Sequence, residues 1–225
     1  MSGSNRLVRL VPLAGIVFAV LTMAGYLTIG PFPDSDASAS ELTSFYAANH
    51  GRVAAGGQLL GLAAIFLALF GTAMWARIRS TDLHPVVAGT ALVGTAMAAV
   101  SWLDGAGAYS VLGEVGHQPW LSPEALQAAH VSGTTGGTDG GTVILLLAVA
   151  TAGIAGRAFP RWLALPALAL AILYVTPFGF FASLLVLLWA AVTGIVMALR
   201  PADAVPATTG VAAPAVGGGP ALTSR

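Results

Sequence analysis

The chain has 225 residues, of which 56% are hydrophobic and only 8% charged, with nine basic and nine acidic residues giving zero formal net charge. A soluble domain of that length needs a far more charged surface, and a neutral chain has no basic footprint for nucleic acid. Cysteine and lysine are both absent, which excludes disulfides, thiolate nucleophiles, sulfur-ligated metals and Schiff-base chemistry.

The mean hydropathy is +0.84, and it is concentrated in long runs. About 20 apolar residues form a helix that crosses the hydrocarbon core of a bilayer. The pattern therefore predicts an all-α, polytopic membrane helical bundle of six transmembrane helices. They run over about 10–30, 53–76, 86–110, 134–156, 161–176 and 180–199. Residues 1–9 precede the bundle, and 201–225 turn to Ala, Pro, Gly and Thr, the composition of a disordered tail. The first run is longer than the 7–15-residue core usual in a signal peptide, so it is read as a retained span.

Between the first two spans, Ser38 precedes Glu41 by three residues, and Leu42, Phe45 and Tyr46 follow as an apolar stripe. This capping-box signature predicts a short amphipathic outer helix. The second outer loop holds His117 to Trp120, with helix resuming near Pro123 after Ser122. The last two spans are separated only by Thr176-Pro177-Phe178-Gly179, a tight hairpin.

Every basic residue is an arginine, and only Arg52 falls in an outer segment if the N-terminus lies inside. Arg6, Arg9, Arg77, Arg79, Arg157, Arg161, Arg200 and Arg225 then all face the cytoplasm, as the positive-inside rule requires. Both termini are thereby expected in the cytoplasm of a bacterial plasma-membrane protein.

The inner arginines also serve as a ruler. At about 1.5 Å per residue, Asp104 and Asp139 fall about 25–27 Å from the inner boundary, near the outer edge of the hydrocarbon. Gln58, Ser101 and Thr138 fall at similar depth, with His130 above them. Ionisable residues inside spans are costly and are functional candidates by default. Asp104, Asp139, Gln58, Ser101, Thr138 and His130 are accordingly the candidate binding residues. The bland alternative is a wet outer vestibule. The fourth span opens on a Gly/Thr-rich stretch in which Gly133, Gly137 and Gly141 recur every four residues, and Gly57 and Gly61 share that spacing. Such glycines let helix backbones approach closely, so all five are candidate packing positions. No histidine pair shows metal-ligand spacing, so neither a metal nor a cofactor is expected.

Several short motifs carry a resemblance. Phe32-Pro33, the Glu41, Phe45-Tyr46 and Arg52 helix, Ser122-Pro123-Glu124-Ala125-Leu126 and Phe159-Pro160-Arg161-Trp162-Leu163 occur in one order. The chain resembles, over roughly 10–200, a group of uncharacterised actinobacterial multi-pass membrane proteins forming a domain-of-unknown-function family. The resemblance implies a six-helix bundle in the plasma membrane and supplies no reaction. The Gly133–Thr142 stretch departs from the mostly apolar fourth helix of that group.

The leading functional expectation is a small-molecule or lipid binding or transport-accessory bundle with a polar pocket near the outer face. A structural or oligomerising membrane subunit packing through Gly-rich helices is the alternative, and an intramembrane hydrolase is the second. The expected partners are the lipid bilayer, a small molecule or lipid, and another copy or another membrane protein. Catalysis is not the favoured reading, because no nucleophile–base spacing is present.

Overall fold

A computed structural model describes residues 10–34, 36–134 and 139–200. The segment 1–9, the tail 201–225, Thr138 and Gly137 lie outside the described residues. Those described form helices and connections, with no strand among them. A short 3-10 turn (Val11–Leu13) leads into α1 (Ala14–Ile29), followed by α2 (Ala39–Arg79), α3 (Pro85–Val115) and α4 (Pro123–Thr134). Then come α5 (Gly140–Ile154), α6 (Arg161–Tyr174) and α7 (Gly179–Leu199). The 3-10 turn with α1, then α2, α3 and the 181–199 part of α7, are long and apolar enough to cross a membrane. The apolar helices α5 and α6 are shorter, at 15 and 14 residues.

One helix departs from the sequence expectation. Ser38 does cap a helix, its hydroxyl accepting from the Glu41 amide at 3.3 Å. That helix then continues without a break to Arg79, 41 residues in all. No proline lies between Ala39 and Arg79, and Gly51, the one glycine between the Ser38 cap and Val53, costs only about 1 kcal/mol of helix propensity. The expected amphipathic segment is therefore the first part of α2. At about 1.5 Å per residue α2 is about 60 Å long, twice the hydrocarbon thickness, so its first turns project past the apolar window.

Six helices close into a ring, with neighbours in the order α1, α2, α3, α5, α6, α7 and back to α1. Small residues set the contacts. A Cβ on Gly141 would strike the backbone of Met97 and Ala98, so α5 presses directly on α3. A Cβ on Gly57 would lie 2.9 Å from the Ala106 carbonyl, and one on Gly61 would lie 3.7 Å from the Ala106 side chain. These glycines thus sit against helices of the same chain. Such close backbone approach lets dispersion hold apolar helices together where water supplies no hydrophobic drive. Gly133 lies in the last turn of α4.

Two buried apolar clusters fill the molecule and meet at Trp102. The larger occupies the ring. The smaller lies where the loop after α1, the start of α2, the end of α3 and α4 come together, around Leu42, Tyr46, Leu112 and Leu126. The chain thus has one end bearing this cap and one end bearing most of its arginines.

Candidate functional site

The capped end is built around an imidazole. His130, on α4, is fully buried, and its Nδ1 lies 3.1 Å from the hydroxyl of equally buried Tyr46 on α2. Phe32 stacks on the His130 ring at 5.3 Å between centroids and 9° between planes. Phe32 also meets Phe45 at 5.2 Å and Tyr109 edge-on at 5.4 Å. Aromatic pairs in these offset and edge-to-face arrangements each add about 0.5–1.5 kcal/mol beyond area burial. Burial pushes the His130 pKa below its ordinary value, while the backbone carbonyls of Pro33 and Asp34 oppose that shift. The ring is therefore biased toward its neutral form. Beside this cluster the rings of His50 and His117 stand 4.4 Å apart, and His117 Nε2 is 3.0 Å from the Gln118 amide nitrogen. Among the described residues no group of three His, Asp or Glu side chains is placed to hold a metal ion.

Arg52, the arginine that breaks the charge pattern, has a local role here. Its Nε donates to the Thr28 carbonyl at 3.1 Å, in the last turn of α1. A cation at a helix C-terminus answers the partial negative charge of the unpaired carbonyls. Gly30 follows with a φ of 77°, a backbone conformation that glycine adopts without strain, and the Arg52 guanidinium fills the space a Cβ would take.

Five of the six candidate binding residues are described, and those five do not assemble into one pocket. Asp104, Ser101 and Gln58 are exposed on the outside of α3 and α2. They sit among exposed Val100 and Leu103 on α3 and Leu62 and Ile65 on α2. Thr138 lies outside the described residues, and His130 is sealed in the cap. Asp139 is the N-cap of α5: its carboxylate accepts from the Gly141 amide at 3.0 Å, the Thr142 amide at 3.3 Å and the Thr142 hydroxyl. A carboxylate at a helix N-terminus satisfies orphan donors and complements the dipole. The Gly/Thr-rich sequence around it gave no signal that the helix begins at Gly140.

What the ring does enclose is a cavity of about 20 Å³ to which all six of its helices contribute. Phe18, Phe70, Trp102 and Trp189 supply aromatic walls, and Thr142, Tyr174 and Ser183 supply hydroxyls. Phe18 meets Trp102 edge-on at 5.3 Å. The Ser183 hydroxyl lies 3.3 Å from that of Tyr174 and 3.0 Å from the Gly179 carbonyl. Trp189 Nε1 donates to the Leu163 carbonyl at 3.1 Å, which fixes its ring. The Thr142 hydroxyl that lines this cavity donates to the Asp139 carboxylate. Mostly apolar walls with a few convergent polar groups are the usual make-up of a small-ligand site. Sequence reasoning missed Tyr174 and Ser183, because the close of the ring by α7 against α6 and α1 is a tertiary fact.

No protein family, curated protein or solved structure matches this chain.

Proposed function

We propose that this is an integral membrane protein that binds a small amphiphilic or lipid-like molecule inside a ring of six helices. The observation that carries this reading is the convergence of all six ring helices on one cavity. A cavity of about 20 Å³ admits a water or a methyl group as it stands. A larger ligand enters when the ring parts, and the seam between α6 and α7 is the place where that is easiest. The helix α6 has only 14 residues and carries Pro166 in its interior, which removes a backbone hydrogen bond.

In the arrangement proposed, the chain crosses the bilayer six times, with the arginine-rich end in the cytoplasm and the capped end outside. The arginine distribution supports that orientation. The two short helices α5 and α6 cross within the ring, with protein on both flanks. Apolar composition of the four long helices supports the membrane setting.

A second reading is supported by a different observation. Asp104, Ser101 and Gln58 are polar groups exposed on faces that are otherwise apolar. In hydrocarbon such groups call for a protein partner. In that reading the chain is a subunit of a larger membrane assembly, joined through this polar face rather than through Gly57, Gly61 and Gly141, which pack against helices of the same chain.

Mass spectrometry of small molecules that copurify with the full chain separates the readings. The wild type and Asp104→Asn retain a common amphiphile, and Ser183→Phe, which fills the cavity, loses it. Identical small-molecule content in all three proteins would remove the ligand-binding reading.

A further inference from the structure

At the other end of the bundle, four arginines from three separate parts of the chain line one open cleft. Arg77 comes from the last turn of α2, Arg157 and Arg161 flank the connection between α5 and α6, and Arg200 follows α7. The cleft has a volume of about 470 Å³ and is completed by Gly153, Ala158, Phe159 and Pro160. None of its lining residues is acidic.

The arrangement is held in place by the fold. Arg77 is half-buried, and its Nε and Nη1 donate to the carbonyls of Ala158 at 2.7 Å and Arg200 at 2.6 Å. Its guanidinium also lies 5.7 Å from the centre of the Phe159 ring, a cation–π contact. One arginine thus ties the α5–α6 connection to the end of α7. Arg157 sits at a φ of 54°, the left-handed region that glycine usually fills after a helix. Arg157, Arg161 and Arg200 are exposed.

Charge separation across a membrane accounts for arginines at this end of the molecule. It does not account for four of them around one cleft, where like charges repel, or for a non-glycine residue held in the left-handed region. Backbone strain of that kind persists where surrounding structure imposes it, and it concentrates at functional positions. A guanidinium is the side chain best matched to a phosphate, which it grips with two parallel hydrogen bonds. Exposed Trp162 adjoins Arg161, and Trp75 stacks against Arg79 at 5.3 Å, so aromatic side chains stand at the same level. Tryptophan at the end of apolar helices marks the headgroup region of a bilayer.

We propose that this cleft binds a phosphate-bearing anion at the membrane surface, through Arg157, Arg161 and Arg200 arranged around Arg77. The source is the headgroup of an anionic phospholipid or a soluble phosphate. Neither depends on the cavity inside the ring, which lies among other residues. The full-length protein in neutral detergent is titrated calorimetrically with short-chain phosphatidylglycerol, with phosphatidylcholine of the same chains, and with inorganic phosphate. Phosphatidylglycerol is expected to bind about tenfold tighter than phosphatidylcholine, and Arg157→Gln/Arg161→Gln to lose about tenfold or more. Arg52→Gln, at the opposite end, keeps the wild-type affinity, and helical content confirms that each variant is folded. Arginine-dependent binding of inorganic phosphate with no lipid preference assigns the same site to a soluble anion. Arginine-independent binding, or no binding, in both the phosphatidylglycerol and the phosphate titrations overturns the proposal.

Discussion

The two ends of this bundle treat polar groups in opposite ways. At the capped end, His130 and Tyr46 are removed from water and answer each other, inside a shell of Phe32, Phe45 and Tyr109. At the other end, four guanidinium groups share an open cleft with no acidic residue among its described lining. The first arrangement is complete within the chain and contributes stability. The second gathers positive charge with no acidic partner among the described residues lining it, as a site for an anion does. A fold can therefore be closed and self-sufficient at one surface while being prepared for a partner at the other.

That contrast is open to direct attack. The largest expected effect is at the cap, where Tyr46→Ala empties a fully buried site and should destabilise by about 3–5 kcal/mol. Arg161→Ala, in the exposed cleft, should stay within about 0.5 kcal/mol of the wild type. Thermal unfolding in detergent compares the two, and equal losses would erase the distinction between the ends.

Acidification comes next. The pKa of His130 is lowered in the folded state, so the unfolded chain binds the proton more readily. The stability due to the neutral ring is fully present above the unfolded value of about 6.5 and is lost as pH falls below it. His130→Gln should flatten that dependence. A variant whose melting temperature falls with acid as steeply as the wild type would place the titration elsewhere.

A modest effect has the opposite sign. Arg157→Gly relieves the left-handed backbone and should stabilise by about 1 kcal/mol while weakening phosphate binding. A gain in stability with no loss of binding would separate Arg157 from the cleft's role.

Much of this architecture is legible in the sequence, and the limits have physical causes. The apolar runs locate the long helices, and Ser38 with Glu41 locates the start of α2. The length of that helix is not legible, because nothing between Tyr46 and Val53 breaks a helix and the change from polar to apolar surface leaves the backbone unaltered. Asp104 and Asp139 show a second limit. Counting residues from the arginines gives a depth along the bundle, but it carries no information about rotation around each helix axis. Asp104 faces outward, and Asp139 is occupied in capping α5. The arginine cleft was hidden for a related reason: the same residues that signal orientation converge only when the ends of α2 and α7 and the start of α6 lie side by side.

The claim that the two ends face opposite sides of a bilayer can be tested with single cysteines, because the native chain has none. Glu124→Cys on α4 and Arg161→Cys at the start of α6 are treated in intact cells with a membrane-impermeant maleimide. The expected result is that Glu124→Cys is labelled in intact cells and Arg161→Cys only after permeabilisation. Labelling of both from the same side would contradict it.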